Sequence, residues 1–97
     1  MNKIYSMLGL ARKGGKISIG FDLTKSDVEN NKSFLVVIAG DASEKTKKNI
    51  KFICDRYRCP YIEYGEKENL GKSLGKNPVS VLSVTDKNIA SYLINNV

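Results

Sequence analysis

The sequence predicts an α/β protein, a three-layer α/β/α sandwich around a central four-stranded mixed sheet. Short segments rich in β-branched residues alternate with helical segments of about 10–15 residues, and this order is typical of a sheet covered by helices. The 97 residues, 41% of them apolar, suffice for one domain with a core of its own. No linker, internal repeat or low-complexity segment divides the chain, so we expect a single domain over residues 1–97.

The first half of the chain predicts two helices and two strands. Residues 2–13 place apolar side chains at helical spacing, and two consecutive glycines end this helix. Residues 16–19 follow as a short strand, and a second helix covers residues 20–31. The apolar run of residues 33–39 predicts a strand that is covered on both faces.

The longest predicted helix follows a turn at residues 40–43. Ser43 caps its start, because a serine side chain at that position accepts an amide hydrogen of the first turn. Cys59 and Pro60 end the helix, since proline cannot continue it. Its inner stripe is expected to comprise Thr46, Ile50, Ile53 and Tyr57.

Two more strands and two more helices complete the chain. Residues 61–64 and 79–84 are the predicted third and fourth strands. A short helix of residues 66–75 lies between them, and Thr85 or Asp86 caps the last helix. The core residues expected on these two helices are Leu70, Leu74, Ile89, Leu93 and Ile94.

The charge is positive and unevenly distributed. Sixteen basic residues against ten acidic ones leave a net charge of +6, which favours a polyanionic partner. Residues 1–25 contain five basic residues and one acidic residue, and residues 44–58 contain six basic and two acidic residues. On the helix that includes residues 44–58, the lysines opposite the apolar stripe indicate first of all a solvated face.

The composition excludes several functional classes. The chain has no histidine, which removes the commonest general base and the commonest metal ligand. Cys54 and Cys59 have no second pair with which to complete a zinc site, and we interpret them as free thiols, one buried and one in a loop. The longest apolar run, residues 34–39, is far shorter than a membrane span, and no secretory signal is visible. We therefore expect a cytoplasmic protein that is not an enzyme.

A basic turn, defined here as residues 12–16, is a candidate anion site. Four residues later Gly20 starts a helix whose first amides are unpaired and favour anions. If the turn faces that helix start, cations and backbone donors converge on one phosphate. The competing interpretation is an ordinary lysine-flanked turn.

The segment of residues 65–73 is similar to a nucleotide phosphate loop but has the wrong spacing. Five residues separate Gly65 from Gly71, where such a loop has four, so its amides would not surround a phosphate. A small nucleotide-binding enzyme is therefore the less favoured alternative.

Five segments carry a family resemblance over nearly the whole chain. They are residues 8–16, 35–43, 59–61, 70–75 and 81–87. In this order they resemble the kink-turn RNA-binding ribosomal protein family, the L-seven-Ae, L-thirty-e, S-twelve-e and Gadd group. The similarity is greatest to its short bacterial members, ribosomal proteins encoded among translation genes. The resemblance implies an L-thirty-e-like fold and binding to structured RNA.

The resemblance also implies which residues contact RNA. A covering loop, defined here as residues 76–80, is expected to lie over a base that leaves the stack. The start of the second helix is expected to enter the widened groove beside it. By position, the phosphate contacts are Lys13, Gly15, Lys16, Gly20 and Lys25, and the loop contacts are Lys76, Asn77, Pro78 and Val79.

Asp22 and Leu23 stand where the family has a base-reading Asn-Glu pair. Asn offers a base edge both a donor and an acceptor, whereas ionised Asp only accepts and Leu offers neither. This departure predicts weaker RNA binding or a preference for a different RNA. RNA shape and phosphate contacts would then carry more of the affinity.

The sequence thus predicts a protein that binds structured RNA, most of all kink turns of ribosomal or regulatory RNA. The expected partners are that RNA and the ribosome, with no membrane. We expect a monomer with no catalytic residues, no cofactor and no metal. The alternative is a protein-interaction module on the same fold without specific RNA binding.

Overall fold

The computed structural model describes residues 2–97, in which five helices and four strands alternate as predicted. Each predicted element is present, and most bounds differ from the prediction by one to three residues. The elements are α1 Lys3–Lys13, β1 Ile17–Ile19, α2 Phe21–Glu29, β2 Leu35–Ile38, α3 Glu44–Arg56, β3 Tyr61–Glu63, α4 Lys67–Ser73, β4 Val81–Val84 and α5 Lys87–Asn96.

The sheet is mixed and has the strand order β1-β4-β2-β3. β4 is antiparallel to both of its neighbours, β1 and β2, and β2 is parallel to β3. All residues of β2 are buried, which confirms that this strand is covered on both faces, and all residues of β4 are buried as well. Their side chains form the centre of the core.

The helices divide into two groups that complete the three-layer sandwich. α1 packs against α4 and α5, whereas α2 packs against α3. The contacts of α2 and α5 with β4 join the two groups to the sheet. Leu70 and Leu74 of the α4 region are buried, as the sequence predicts.

Side-chain caps fix the starts of three helices. The side chain of Ser43 accepts the amide hydrogen of Thr46 at 3.1 Å, and Asp86 accepts that of Ile89 at 2.9 Å. Both caps agree with the sequence analysis. Asn2 caps α1 in the same way by accepting the amide hydrogen of Ile4 at 2.7 Å. Each such cap stabilises a helix start by about 1 kcal/mol.

Several predicted details of α3 and α5 are wrong. α3 ends at Arg56, before Cys59, because Arg58 adopts a left-handed backbone with φ of 58° and reverses the chain. Tyr57 therefore lies outside the helix and is 37% exposed, and Ile94 of α5 is 42% exposed. Both cysteines are free, as expected, and Cys59 lies in the loop after α3, where it is buried like Cys54.

Two lysines of α3 are bound to a glutamate of β3. The Nζ atom of Lys47 lies 3.2 Å from Oε1 of Glu63, and Lys51 donates a hydrogen bond to the other carboxylate oxygen. The hydrogen bond from Lys51, followed by that from Lys47, lowers the pKa of Glu63. These two lysines therefore connect α3 to β3, which is an edge strand of the sheet.

We predict that Glu63→Gln lowers the thermal stability slightly at neutral pH, since the charge that pairs with Lys47 and Lys51 is lost. The pKa of Glu63 in the folded protein lies below its ordinary value of 4.5. The stabilisation is therefore complete above that value and disappears as the pH falls through the lowered pKa. Thermal melts of both proteins from pH 7 to pH 2 should show the difference in Tm closing in acid. A difference that does not change with pH would contradict the ion-pair account.

Candidate nucleic-acid interface

The starts of three helices meet at one end of the sheet. The amide of Gly20 donates to the carbonyl of Val81 at 3.0 Å, which places the start of α2 beside the start of β4. The amide of Ala39 donates to Ser80 at 2.8 Å from the other side of β4. We call this end, comprising residues 20–23, 40–43, 65–67 and 76–80, the helix-start edge.

A carboxylate connects α4 to this edge. Oδ1 of Asp41, in the turn after β2, accepts the amide hydrogen of Lys67 at 2.8 Å. The amide of Gly40 donates to the carbonyl of Gly65 at 2.7 Å in the same region. The sequence analysis missed both contacts, although an aspartate directly after a buried strand is a visible signal for such a role.

The covering loop runs back along α4. The amide of Lys76 donates to the carbonyl of Gly71 at 2.8 Å, and the amide of Val79 donates to Lys67 at 3.0 Å. This close approach depends on Gly71, because a Cβ atom there would overlap the carbonyl group of Asn77. The loop is therefore held against the helix by backbone contacts.

The covering loop presents three of its four predicted contact residues to solvent. Lys76, Asn77 and Pro78 are exposed. Val79 is only 5% exposed and packs in the core, so its side chain does not lie on a base as we expected. The physical reason is its place just before β4, where the chain turns its side chain inward.

The start of α2 is open to solvent. Gly20 has a φ of 102°, which favours glycine, and no side chain caps the helix. The first-turn amides are therefore available, as helix N-termini generally are. Asp22 and Leu23 are exposed, Leu23 by 58%, and Lys25 follows on the next turn. The carboxylate of Asp22 adds a negative charge to a position that otherwise attracts anions.

The basic turn lies at the start of β1, whereas Gly20 follows the end of this strand, so the turn does not face the start of α2. The carbonyl of Lys16 accepts the amide hydrogen of Thr85, beyond the far end of β4. Three residues of extended chain separate Lys16 from Gly20, so their Cα atoms lie about 13 Å apart. The backbone of the turn therefore does not lie against the first amides of α2.

The exposed residues of the basic turn form a surface of their own. Lys13, Gly15 and Lys16 are exposed, and Gly15 has a φ of 73°. Lys13 and Arg12 line a groove of about 670 Å³ between α1 and α4, which we call the α1–α4 groove. Leu10, 63% exposed, also lines it.

The helix-start edge carries both signs of charge, since Asp22, Asp41 and Glu66 are acidic and the nearby lysines are basic. Lys25, Lys67 and Lys76 supply cations around exposed backbone amides and the covering loop. Within residues 2–97, no group of three or more Cys, Asp or Glu side chains is arranged to hold a metal ion. No helix in the described part of the chain is long and apolar enough to span a membrane.

Comparisons with known proteins converge on one family. Residues 2–94 match the model of the ribosomal protein L7Ae/L30e/S12e/Gadd45 family. The chain is 36% identical over 90 residues to the RNA-binding protein YlxQ of Bacillus subtilis (strain 168), covering 93% of this chain and 90% of that protein. It is 29% identical over 98 residues to the large ribosomal subunit protein eL8 of Cenarchaeum symbiosum (strain A), covering 100% of this chain and 78% of that protein.

A solved structure supports the fold. A protein of unknown function from Bacillus halodurans superposes with a TM-score of 0.95 at 29% identity, covering 98% of this chain and 96% of that one. The fold predicted from the sequence is therefore confirmed.

We predict that Gly71→Ala destabilises the protein by about 1–3 kcal/mol, the usual cost of overpacking, because the added methyl group displaces the covering loop. Urea unfolding followed by circular dichroism measures this change. Gly14→Ala is the matched control, since Gly14 has a φ of −81°. An added Cβ there would lie 3.6 Å from the nearest atoms, which are the carbonyl oxygens of Ala11 and Leu10. The control should be neutral or stabilising by up to about 1 kcal/mol. Equal effects of the two substitutions would contradict the close packing of the loop.

Proposed function

Because the chain belongs to the ribosomal protein L7Ae/L30e/S12e/Gadd45 family, we propose that it binds folded RNA at the helix-start edge, most of all kink turns of ribosomal or regulatory RNA. The observation that carries the proposal is the hydrogen bond from Gly20 to Val81, which makes the start of α2 and the covering loop neighbours. The net charge of +6 and the similarity to a relative named as an RNA-binding protein support it. We propose binding without catalysis, by a cytoplasmic monomer that acts at the ribosome or on regulatory RNA.

The two halves of the edge have different tasks in this mechanism. The first turn of α2 enters the widened groove of the bent RNA and offers its amides to the backbone. Lys25 and Lys76, both exposed, neutralise phosphates and position the RNA without reading its sequence. Asn77 and Pro78 lie against a base that is turned out of the stack, where an unpaired base is easiest to recognise.

Sequence readout by α2 is limited. The carboxylate of Asp22 accepts from the exocyclic amine of a guanine, but Leu23 offers only apolar contact. Each good base-edge contact is worth about 1–3 kcal/mol of discrimination. The chain therefore depends more on RNA shape than relatives with Asn-Glu at these positions do.

The basic turn has a separate role in the proposal. An RNA contacts Lys13, Gly15 and Lys16 through its phosphates only if it extends from the helix-start edge to the start of β1. Their contribution is therefore expected to be smaller than that of Lys25.

The second candidate function is a protein-interaction module on the same fold. The exposed side chain of Leu10 in the α1–α4 groove favours it, because an apolar residue in a groove is typical of a docking surface. Salt dependence separates the two functions, since phosphate contacts make RNA affinity fall steeply with added salt.

We predict that Lys25→Ala weakens binding to all structured RNAs by a similar factor and flattens the salt dependence by about one phosphate contact. The control is the double variant Lys47→Ala and Lys51→Ala, which removes more charge but only from lysines already bound to Glu63. Kd values at four salt concentrations, measured well below the melting temperature, should show a loss for the first variant and little change for the control. A larger loss in the control would locate the RNA on α3 and β3.

We also predict that the double variant Asp22→Asn and Leu23→Glu binds a standard kink turn more tightly by about 1–3 kcal/mol. The new Asn gains a donor, and the new Glu accepts from guanine amines of the tandem G·A pairs. Its preference over an RNA with Watson–Crick pairs at those positions should also increase. Because the added negative charge opposes general RNA affinity, an unspecific effect would have the opposite sign. Equal or weaker binding to the intact kink turn would contradict the proposed docking of α2.

A further inference from the structure

A second groove, which we call the α2–α3 groove, crosses the outer surface of the helical layer. It has a volume of about 350 Å³ and is open to solvent. Its α2 side consists of residues from the first two turns, so the groove begins next to the helix-start edge. The lining residues are Phe21, Lys25, Lys48, Asn49, Phe52 and Ile53.

Phe52 is the unusual residue of this groove. Its side chain is 65% exposed, while Ile50 and Cys54 of the same helix are fully buried. The core therefore does not use the ring of Phe52. A large aromatic side chain in contact with water is available to stack on another planar group.

Two lysines line the same groove as this ring. Lys25 from α2 and Lys48 from α3 line the groove, and within residues 2–97 no carboxylate lies within 4.0 Å of either Nζ atom. On α3, steps of three and four residues place Lys45, Lys48, Phe52 and Arg56 along one face of the helix. These are the lysines and the arginine that remain after Lys47 and Lys51 have bound Glu63.

This combination favours single-stranded nucleic acid over a protein partner. A positively charged groove with an aromatic side chain on which bases stack is the common arrangement for binding unpaired strands. A protein partner would instead favour an apolar patch without cations, whereas Lys25 and Lys48 line this groove together with Phe52.

We infer that the α2–α3 groove binds an unpaired RNA strand that leaves the folded RNA at the helix-start edge. One base of this strand stacks on Phe52, and the neighbouring phosphates contact Lys25 and Lys48. The inference rests on the proposed function, because the folded RNA delivers the strand to the groove. It adds a preference for kink turns that have an unpaired flank.

The test compares three forms of one kink-turn RNA. The first RNA has blunt helices. The second carries an unpaired extension of about six nucleotides, which is within the usual site sizes of proteins that bind single strands. In the third RNA a complementary strand pairs with the extension. The extension is placed at the 5′ end in one set and at the 3′ end in another, because the groove accepts a strand of one polarity. Each RNA is titrated at one fixed salt concentration.

Three variants complete the design. Phe52→Leu keeps an apolar side chain but removes the ring, and Lys48→Ala removes a flanking charge. The matched control is Phe34→Leu, because Phe34 is also exposed, by 41%, and its amide donates to Val84 at the far end of β4. Thermal melts verify that all variants are folded.

The expected result is that one unpaired extension tightens binding by the wild-type protein about five- to 150-fold, the range for one stacked base. Phe52→Leu should lose most of this gain and Lys48→Ala part of it, while both bind the blunt RNA like the wild type. Phe34→Leu should keep the full gain.

The inference is overturned if neither extension tightens binding, if the paired extension does so equally, or if Phe34→Leu loses as much as Phe52→Leu. In these cases binding of the blunt RNA still supports the proposed function. Wild-type protein that binds none of the three RNAs would overturn the proposed function, and the inference with it.

Discussion

The position of β4 between β1 and β2 determines which parts of this protein lie together. Hydrogen bonds from Gly20 and Ala39 reach the start of β4 from its two sides, and they bring the starts of α2 and α3 to one end of the sheet. The interior of β4 is fully buried, and its one polar side chain, Ser83, is satisfied by a hydrogen bond to Ser33 at 2.8 Å. Because an edge strand could be displaced far more easily than this central one, the geometry of the helix-start edge is stabilised by the whole core.

The same strand pairing separates the positive charge into distinct surfaces. The basic turn lies at one end of β1 and the start of α2 at the other, so two features that are close in sequence have different surroundings. On α3, Lys47 and Lys51 are bound to Glu63, whereas Lys48 faces α2. The basic residues that give the net charge of +6 are therefore distributed over at least two surfaces and one structural ion-pair cluster.

The sequence predicted the parts of the fold that local chemistry determines. Hydrophobic periodicity located every helix and strand, and Ser43 and Asp86 marked two helix starts by their capping ability. Strand order was beyond the sequence, because strands of three or four residues carry too little pattern to specify their partners. The separation of the basic turn from Gly20 follows from the extended conformation of β1, which lies between them.

The candidate site was predictable to a similar degree. The family resemblance indicated the start of α2 and the covering loop as the candidate site. The burial of Val79 was not predictable, because it depends on the exact residue at which β4 begins. Gly71 was visible as a residue, but only the folded loop shows why a side chain does not fit there. Phe52 offered a signal that was not used, since it interrupts the polar face of an amphipathic helix with an aromatic ring.

The most direct test of the account is an NMR titration of the ¹⁵N-labelled protein with a kink-turn RNA, following every backbone amide. The account predicts the largest shift changes at residues 20–25 and 76–80, with residues 12–16 much less affected. Shift changes concentrated at residues 10–16 and 69–75, around the α1–α4 groove, with residues 20–25 unaffected, would contradict the claim that the helix-start edge binds RNA.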